Sequence, residues 1–306
     1  MREGAGMSER MYCSKRMIKK YKLQVRTRIF VTKIIRATGE VREVSGPHYN
    51  TMDADGIDLF LDLLTNTGSE GAKHLNTADS FISIANANPI TSHILVFGGT
   101  DSRGTGTPTK AAPSALNFYE WHDDSITIRT NQNEIEMWYL DPNTGPTNVV
   151  KINHITVNEG TKPANENWHW RIELEMYSTD SDFVDLHMQR FLDVIAGDTT
   201  IHMDATRTFF RPFTTADVGL GSTGQNPDAA PTINLSANTI TFVTTVTDGN
   251  FNGAWDKMEV GTGTTYTSGF TRVRYGGCTT AGGSCGTKVA GEEYEYTYVI
   301  TLAQGS

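Results

Sequence analysis

Apolar and polar residues alternate along much of this chain with a period of two, the mark of strands that bury one face. Over residues 21–31, Tyr21, Leu23, Val25, Thr27, Ile29 and Val31 fall on one side, with Gln24, Arg26 and Arg28 on the other. Residues 168–176 set Trp168, Trp170, Ile172, Leu174 and Met176 against His169, Arg171, Glu173 and Glu175. Toward the end of the sequence, Tyr294, Tyr296, Tyr298, Ile300 and Leu302 alternate with Glu293, Glu295, Thr297, Val299 and Thr301. Shorter stretches at Ser80–Ala85, His93–Phe97, Ser125–Thr130, Glu134–Leu140, Val149–Val157, Thr239–Thr247 and Ala254–Val260 read as further strands. Turn-forming clusters such as DPNTGPTN and VTDGNFNGA separate them.

Two segments follow the helical period instead. In Ala54–Asn66, Ile57, Phe60, Leu61 and Leu64 recur at i, i+3, i+4 and i+7, and Asp53 or Asp55 can cap the start. In Phe183–Ala196, Val184, Met188, Phe191 and Ile195 form a second stripe, and Gly197 can end it. The expected fold is therefore mainly β: an antiparallel β-sandwich with two short packing helices, about 54–66 and 183–196. Three long Gly/Thr-rich loops, at 98–109, 219–227 and 261–269, join its strands. None has the Lys-Ser/Thr and the strand–helix context of a phosphate-binding loop. The expected organisation is a basic N-terminal arm (1–20), a first β-rich portion (21–118), an inserted β-rich portion (119–215) and a C-terminal β portion (216–306) that completes the sandwich.

Composition bounds this picture. An apolar fraction of 38% with 29 glycines among 306 residues suits a packed core and excludes wholesale disorder. No apolar run reaches the ~18 residues of a membrane-spanning helix, so no membrane span is expected. The N-terminal segment, broken by Arg2, Arg10, Lys15, Arg16, Lys19 and Lys20, does not read as a secretory signal.

The net charge of −9 conceals an uneven distribution. Residues 1–43 carry 12 Lys/Arg and 4 Asp/Glu, whereas residues 44–306 carry 14 and 31. A cationic leading segment on an anionic body favours docking onto an acidic protein surface, such as a neighbouring copy. Arg2, Arg10, Lys15, Arg16, Lys19, Lys20 and Lys22 are the assembly candidates. A solvated tail is the plain alternative. Nucleic acid is not an expected partner, because no recognition motif accompanies the charge.

Candidate chemistry is sparse. Cys278 and Cys285 bracket GGCTTAGGSCG, where a hairpin would bring them to disulfide distance; a reducing compartment keeps them as thiols. Cys13 stands alone. The eight histidines (His48, His74, His93, His122, His154, His169, His187 and His202) form no close metal-binding pair, so no metal or other cofactor is expected. The acidic run at Asp53–Asp58 has Leu64 where a calcium loop needs its twelfth-position Glu, and reads better as a helix start. Trp168 and Trp170 continue an apolar strand face and read as core. The tyrosine ladder 294–298 reads as a sheet face or a covered interface. Glu293 and Glu295 lie on the polar side of their strand, and no Ser- or Cys-nucleophile signature is present, so no enzyme is expected.

Three fragments carry a family resemblance. Asn50-Thr51-Met52-Asp53-Ala54-Asp55-Gly56 precedes a Leu-rich helix. His93-Ile94-Leu95-Val96-Phe97-Gly98-Gly99-Thr100 runs into GTGTPTKAAPSAL. Ile240-Thr241-Phe242-Val243-Thr244-Thr245-Val246 is followed by Asn252-Gly253-Ala254-Trp255-Asp256-Lys257-Met258. This series resembles phage tail-associated structural proteins of the tail-fibre and baseplate type. Residues 120–235 stand as an insertion in the pattern, and the basic arm has no counterpart in it. The resemblance implies a non-enzymatic virion component, made in the host cytoplasm, whose partners are copies of itself and other virion proteins. The alternatives are a receptor- or glycan-binding adhesin module that recognises a host surface, a cellular surface or filament subunit, and, last, a polysaccharide hydrolase.

Overall fold

The computed structural model describes residues 15–65, 80–85, 109–111, 115–129, 132, 134–140, 149–179, 191–192, 194–195, 203–214, 219–220, 224–247, 249–255, 257–262, 273–279 and 287–305. The first described element is a strand of 21 residues, β1 (Lys15–Ile35), followed by β2 (Val41–Thr51) and helix α1 (Ala54–Thr65). Next come β3 (Ser80–Ala85), β4 (Thr109–Ala111), β5 (Ala115–Asp123), β6 (Glu134–Leu140), β7 (Val149–Thr156) and β8 (Glu166–Tyr177). The remainder supplies β9 (Thr208–Phe213), β10 (Thr232–Asn234), β11 (Thr239–Val246), β12 (Gly253–Ala254), β13 (Lys257–Thr262), β14 (Val273–Thr279), β15 (Thr287–Lys288) and β16 (Tyr294–Gln304).

Eight of these strands form one sheet in the order β10-β11-β16-β1-β8-β5-β4, with β2 also paired to β1. The mainly β class is as the alternation predicts. The sheet is mixed, however: β1 runs parallel to β16, while the other named pairings are antiparallel. A parallel pair needs a long crossover, and here almost the whole chain lies between its two strands.

Register aligns the apolar positions of four strands on one face. Val25, Ile29 and Val31 of β1 stand opposite Met176, Ile172 and Trp170 of β8. On the other edge of β1, Tyr21 and Leu23 stand opposite Ile300 and Leu302 of β16. Ile240, Phe242 and Val246 of β11 continue the row across Ile300, Tyr298 and Tyr294. All these residues are buried in a single cluster, joined by Ile152 and Ile155 of β7 and most of α1. Trp168 and Trp170 are core residues, as expected, and the tyrosine ladder of β16 is core as well. Phe210 of β9 reaches it, 4.5 Å between ring centroids from Tyr296 and 5.6 Å from Trp255.

Helix α1 matches its expected segment to within a residue. It packs on β7 of the separate β3–β6–β7 sheet and on β16 and β11 of the large one. With layers on both sides, its burial extends past one stripe to Ile57, Leu59, Phe60, Leu61, Leu63 and Leu64. Its start is fixed by Asp53, whose backbone N–H donates to the Ile152 carbonyl (3.0 Å) and whose carbonyl accepts from Ile57 N–H (3.1 Å). Of the second expected helix, Phe191, Leu192, Val194 and Ile195 are described; they are helical and buried.

One expected strand is corrected. Ser125–Thr130 does alternate, but Ile126 and Ile128 are 72% and 59% exposed, and the segment is a loop with a single bridge from Arg129 to Lys162. Its apolar side chains have no sheet face to lie on. Ala254–Val260 divides into β12 and β13. His93–Phe97, residues 98–108 of the expected loop 98–109 and residues 263–269 of the expected loop 261–269 fall outside the described residues, as do Cys13 and Cys285; residues 261–262 end β13, and Cys278 lies in β14 opposite Met258.

The close seating of α1 generates a test. A Cβ at Gly56 would lie 2.5 Å from the Ile152 backbone oxygen, so any side chain there must push the helix off β7. Gly56→Ala is expected to lower stability by about 1–3 kcal/mol despite alanine's better helix propensity. Urea unfolding checks this, and an unchanged or higher midpoint contradicts the packing described.

Candidate assembly surface

β1 has two halves with different neighbours. Residues 24–35 are flanked by β8 on one edge, and residues 26–34 by β2 on the other. Residues 15–25 pair with β16 on one edge. β8 ends at Tyr177, opposite Gln24, so the second edge of residues 15–23 meets no strand among the described residues. On that edge the Ser178 hydroxyl donates to the Lys22 carbonyl (2.6 Å). By the two-residue alternation of a strand, the backbone groups of Ile18 and Lys20 point to that same edge.

The same alternation sorts the side chains. Tyr21 and Leu23 enter the core, while Ile18 (66% exposed), Lys20 and Lys22 lie open. Lys20, Tyr21 and Lys22 line a shallow cavity of about 380 Å³ with Thr179 and Thr301. Of the other assembly candidates, Lys15, Arg16 and Lys19 have their backbone in β1, opposite Tyr294, Glu295 and Tyr298. Arg2 and Arg10 lie outside the described residues. The basic segment is thus a sheet strand from Lys15 onward, and residue 20 falls inside β1.

Downstream of this exposed stretch, β1 is held by charge on both faces. On the outer face, Arg26 Nε meets Glu175 Oε2 at 2.5 Å. Arg28 spans Glu173 (2.5 Å) and Glu175 (3.2 Å), and Arg171 also reaches Glu173 (3.1 Å). The Arg26 guanidinium is stacked over Tyr49 and Tyr177. Arg26–Glu175 and Arg28–Glu173 lie directly across the β1–β8 register, where opposite charges stabilise a sheet.

On the inner face, Lys33 Nζ donates to Glu159 Oε2 at 2.7 Å and lies 3.2 Å from Glu43. Glu159 Oε1 accepts from the Ser45 hydroxyl (2.5 Å) and lies 2.7 Å from His48 Nε2. Burial by itself raises the Glu159 carboxyl. The hydrogen bonds from Lys33, Ser45 and His48, with the Lys33 charge, outweigh it and hold the group below the ordinary carboxylate value.

A third network closes the end of β5. Asp123 accepts from the Ser125 hydroxyl (2.6 Å) and from Arg129 Nε (3.1 Å). Lys162, wholly buried, lies 3.7 Å from Asp123 and donates to the Ser125 carbonyl (2.7 Å). Burial lowers the Lys162 ammonium, and Arg36 and Arg129 lower it further against the opposing pull of Asp123. These groups bind the loop that displays Ile126 and Ile128.

Among the described histidines, His48 belongs to the Glu159 network, and His122 and His169 stack across β5 and β8. Sequence reasoning missed these groupings because each joins residues from different strands. Glu159, Lys33 and Lys162 carry no local motif. Compared with protein-family models, curated proteins and solved structures, the chain matches none.

The Glu159 cluster fixes a pH dependence. A carboxyl depressed in the folded state stabilises above its unfolded value of about 4.3 and loses that contribution as pH falls through the folded value. Glu159→Gln, which leaves the buried Lys33 only the half-exposed Glu43 as counter-charge, is expected to cost about 1–3 kcal/mol at pH 7. The gap to wild type narrows from pH 7 to pH 3. Denaturant unfolding at both pH values checks this, and a gap that stays constant with pH removes Glu159 as its source.

Proposed function

We propose that this chain is a non-enzymatic structural component of a tailed virus particle that assembles with copies of itself and other particle proteins. The observation that carries the reading is the cationic, open stretch of β1 set on an otherwise acidic body. Lys20 and Lys22 stand exposed beside a strand edge that no described strand occupies, while residues 44–306 carry 31 acidic against 14 basic residues. Such a surface fits an acidic face of a neighbouring copy, with charge steering the approach and backbone edge pairing fixing the geometry. The buried ion pairs support the same reading, since each locks a strand or loop in place. The resemblance of the three sequence fragments supplies the particle context, a tail, baseplate, collar or decoration position within the virion.

Reversing charge at the exposed stretch tests this without touching the core. Lys20→Glu/Lys22→Glu is expected to leave the circular dichroism spectrum unchanged and to reduce self-association in analytical ultracentrifugation. Each exposed pair is worth about 0.2–1 kcal/mol, so the double variant weakens association about 2- to 30-fold. Wild-type association also weakens with added salt, since the screening length falls to ~3 Å at 1 M. Equal assembly of variant and wild type, at low and high salt alike, rejects the proposal.

A further inference from the structure

β5 and β8 set His122 directly opposite His169, and Asp123 opposite Trp168. Side chains alternate, so Asp123 turns inward and is buried while His122 and Asp124 on either side are exposed. Arg129 and Ser125 grip the Asp123 carboxylate from below, which fixes the backbone between the two outward residues. On the outer face the His122 and His169 rings stack with centroids 3.7 Å apart and planes at 7°. His169 Nε2 lies 2.9 Å from Asp124 Oδ1. One ligand atom from each of the three residues falls within 4.8 Å of the others.

The geometry points to a divalent transition-metal site, for zinc or its near neighbours, with His122, His169 and Asp124 as ligands. Two imidazoles and one carboxylate suit zinc, nickel or copper, whereas magnesium and calcium take oxygen donors throughout. Zn–N and Zn–O bonds of about 2.0–2.2 Å require the three ligand atoms to draw closer than they stand. Parallel rings direct their lone pairs along separate planes, so one ring must turn to share an ion. Metal binding trades the stack of His122 on His169 for rotation of the exposed His122 ring about its terminal torsion, which is soft. The carboxylate then exchanges its contact with His169 for the metal. Three protein ligands leave a fourth position open to water or to a donor from a bound molecule. The site lies on β5 and β8, away from the exposed stretch of β1, and stands independently of the assembly reading.

Calorimetric titration of the EDTA-treated, full-length protein with zinc chloride tests the site. The expected result is one equivalent bound with a Kd of about 10 µM or tighter. His122→Ala/His169→Ala is expected to lose that equivalent, and Asp124→Asn to weaken it by about tenfold or more. His154→Ala serves as the control and retains it. Cobalt substitution gives a second readout: visible absorption bands of low-symmetry coordination in the wild type and none in the double variant. Circular dichroism confirms that each variant is folded, as expected for substitutions on an outer face. No zinc binding by the wild type, or equal binding by the folded double variant, overturns the assignment.

Discussion

The backbone pairing of β1 with β16 makes one sheet out of two halves. On one side of it lie β16, β11 and β10; on the other lie β8, β5 and β4. β1 is the only strand in the described sheet that touches both groups. Its length allows this: 21 residues give room for β16 along the first half and for β8 and β2 along the second. The continuous apolar row from Ile240 through Ile300, Tyr21 and on to Ile29, Ile172 and Trp170 exists because that register is kept. A slip of one residue would send Arg26 and Arg28 into the core and Val25 and Ile29 into water.

Charge is used where such a slip has to be prevented. Arg26, Arg28, Glu173 and Glu175 tie the outer face of β1 to β8, and Lys33 with Glu159 ties the inner face to the segment after β7. Buried ion pairs of this kind add little net stability compared with apolar side chains of equal volume, because desolvation offsets most of the attraction. Breaking one is costly all the same, since the surviving charge remains buried. The pattern therefore penalises alternative pairings more than it stabilises the correct one. Lys162 does the same for a loop, exchanging hydration for two carbonyls and a carboxylate so that an irregular segment keeps one shape.

The strands buried on one face were legible in the sequence. β8, β11, β16 and the body of β1 alternate cleanly, and α1 shows its stripe, because a single burial environment writes a single period. Elements in other environments were not legible. β9 is buried at all six positions, so TFFRPF has no alternation to read. β2 carries Gly46 and Pro47 and leaves Val41, Val44 and Tyr49 exposed, so its pattern resembles a loop. Ile126 and Ile128 show the reverse failure, alternation without a sheet. The start of β1 at Lys15 was hidden because lysines on a half-open strand look like a solvated tail. The ion-pair clusters and the His122–His169 stack depend on cross-strand register, which no local spacing encodes.

Joining residues 15–25 to residues 294–304 also sets a timetable. At about 5–20 residues per second, a ribosome needs tens of seconds to deliver β16 after β1 has emerged. During that interval residues 15–25 lack the strand that pairs with them and the apolar side chains it brings to the core. The large sheet closes only after synthesis has passed its last strand, so its formation is dominated by distant contacts, the slow class of folding reactions. Until then the growing polypeptide needs shielding by a chaperone or by its own transient collapse.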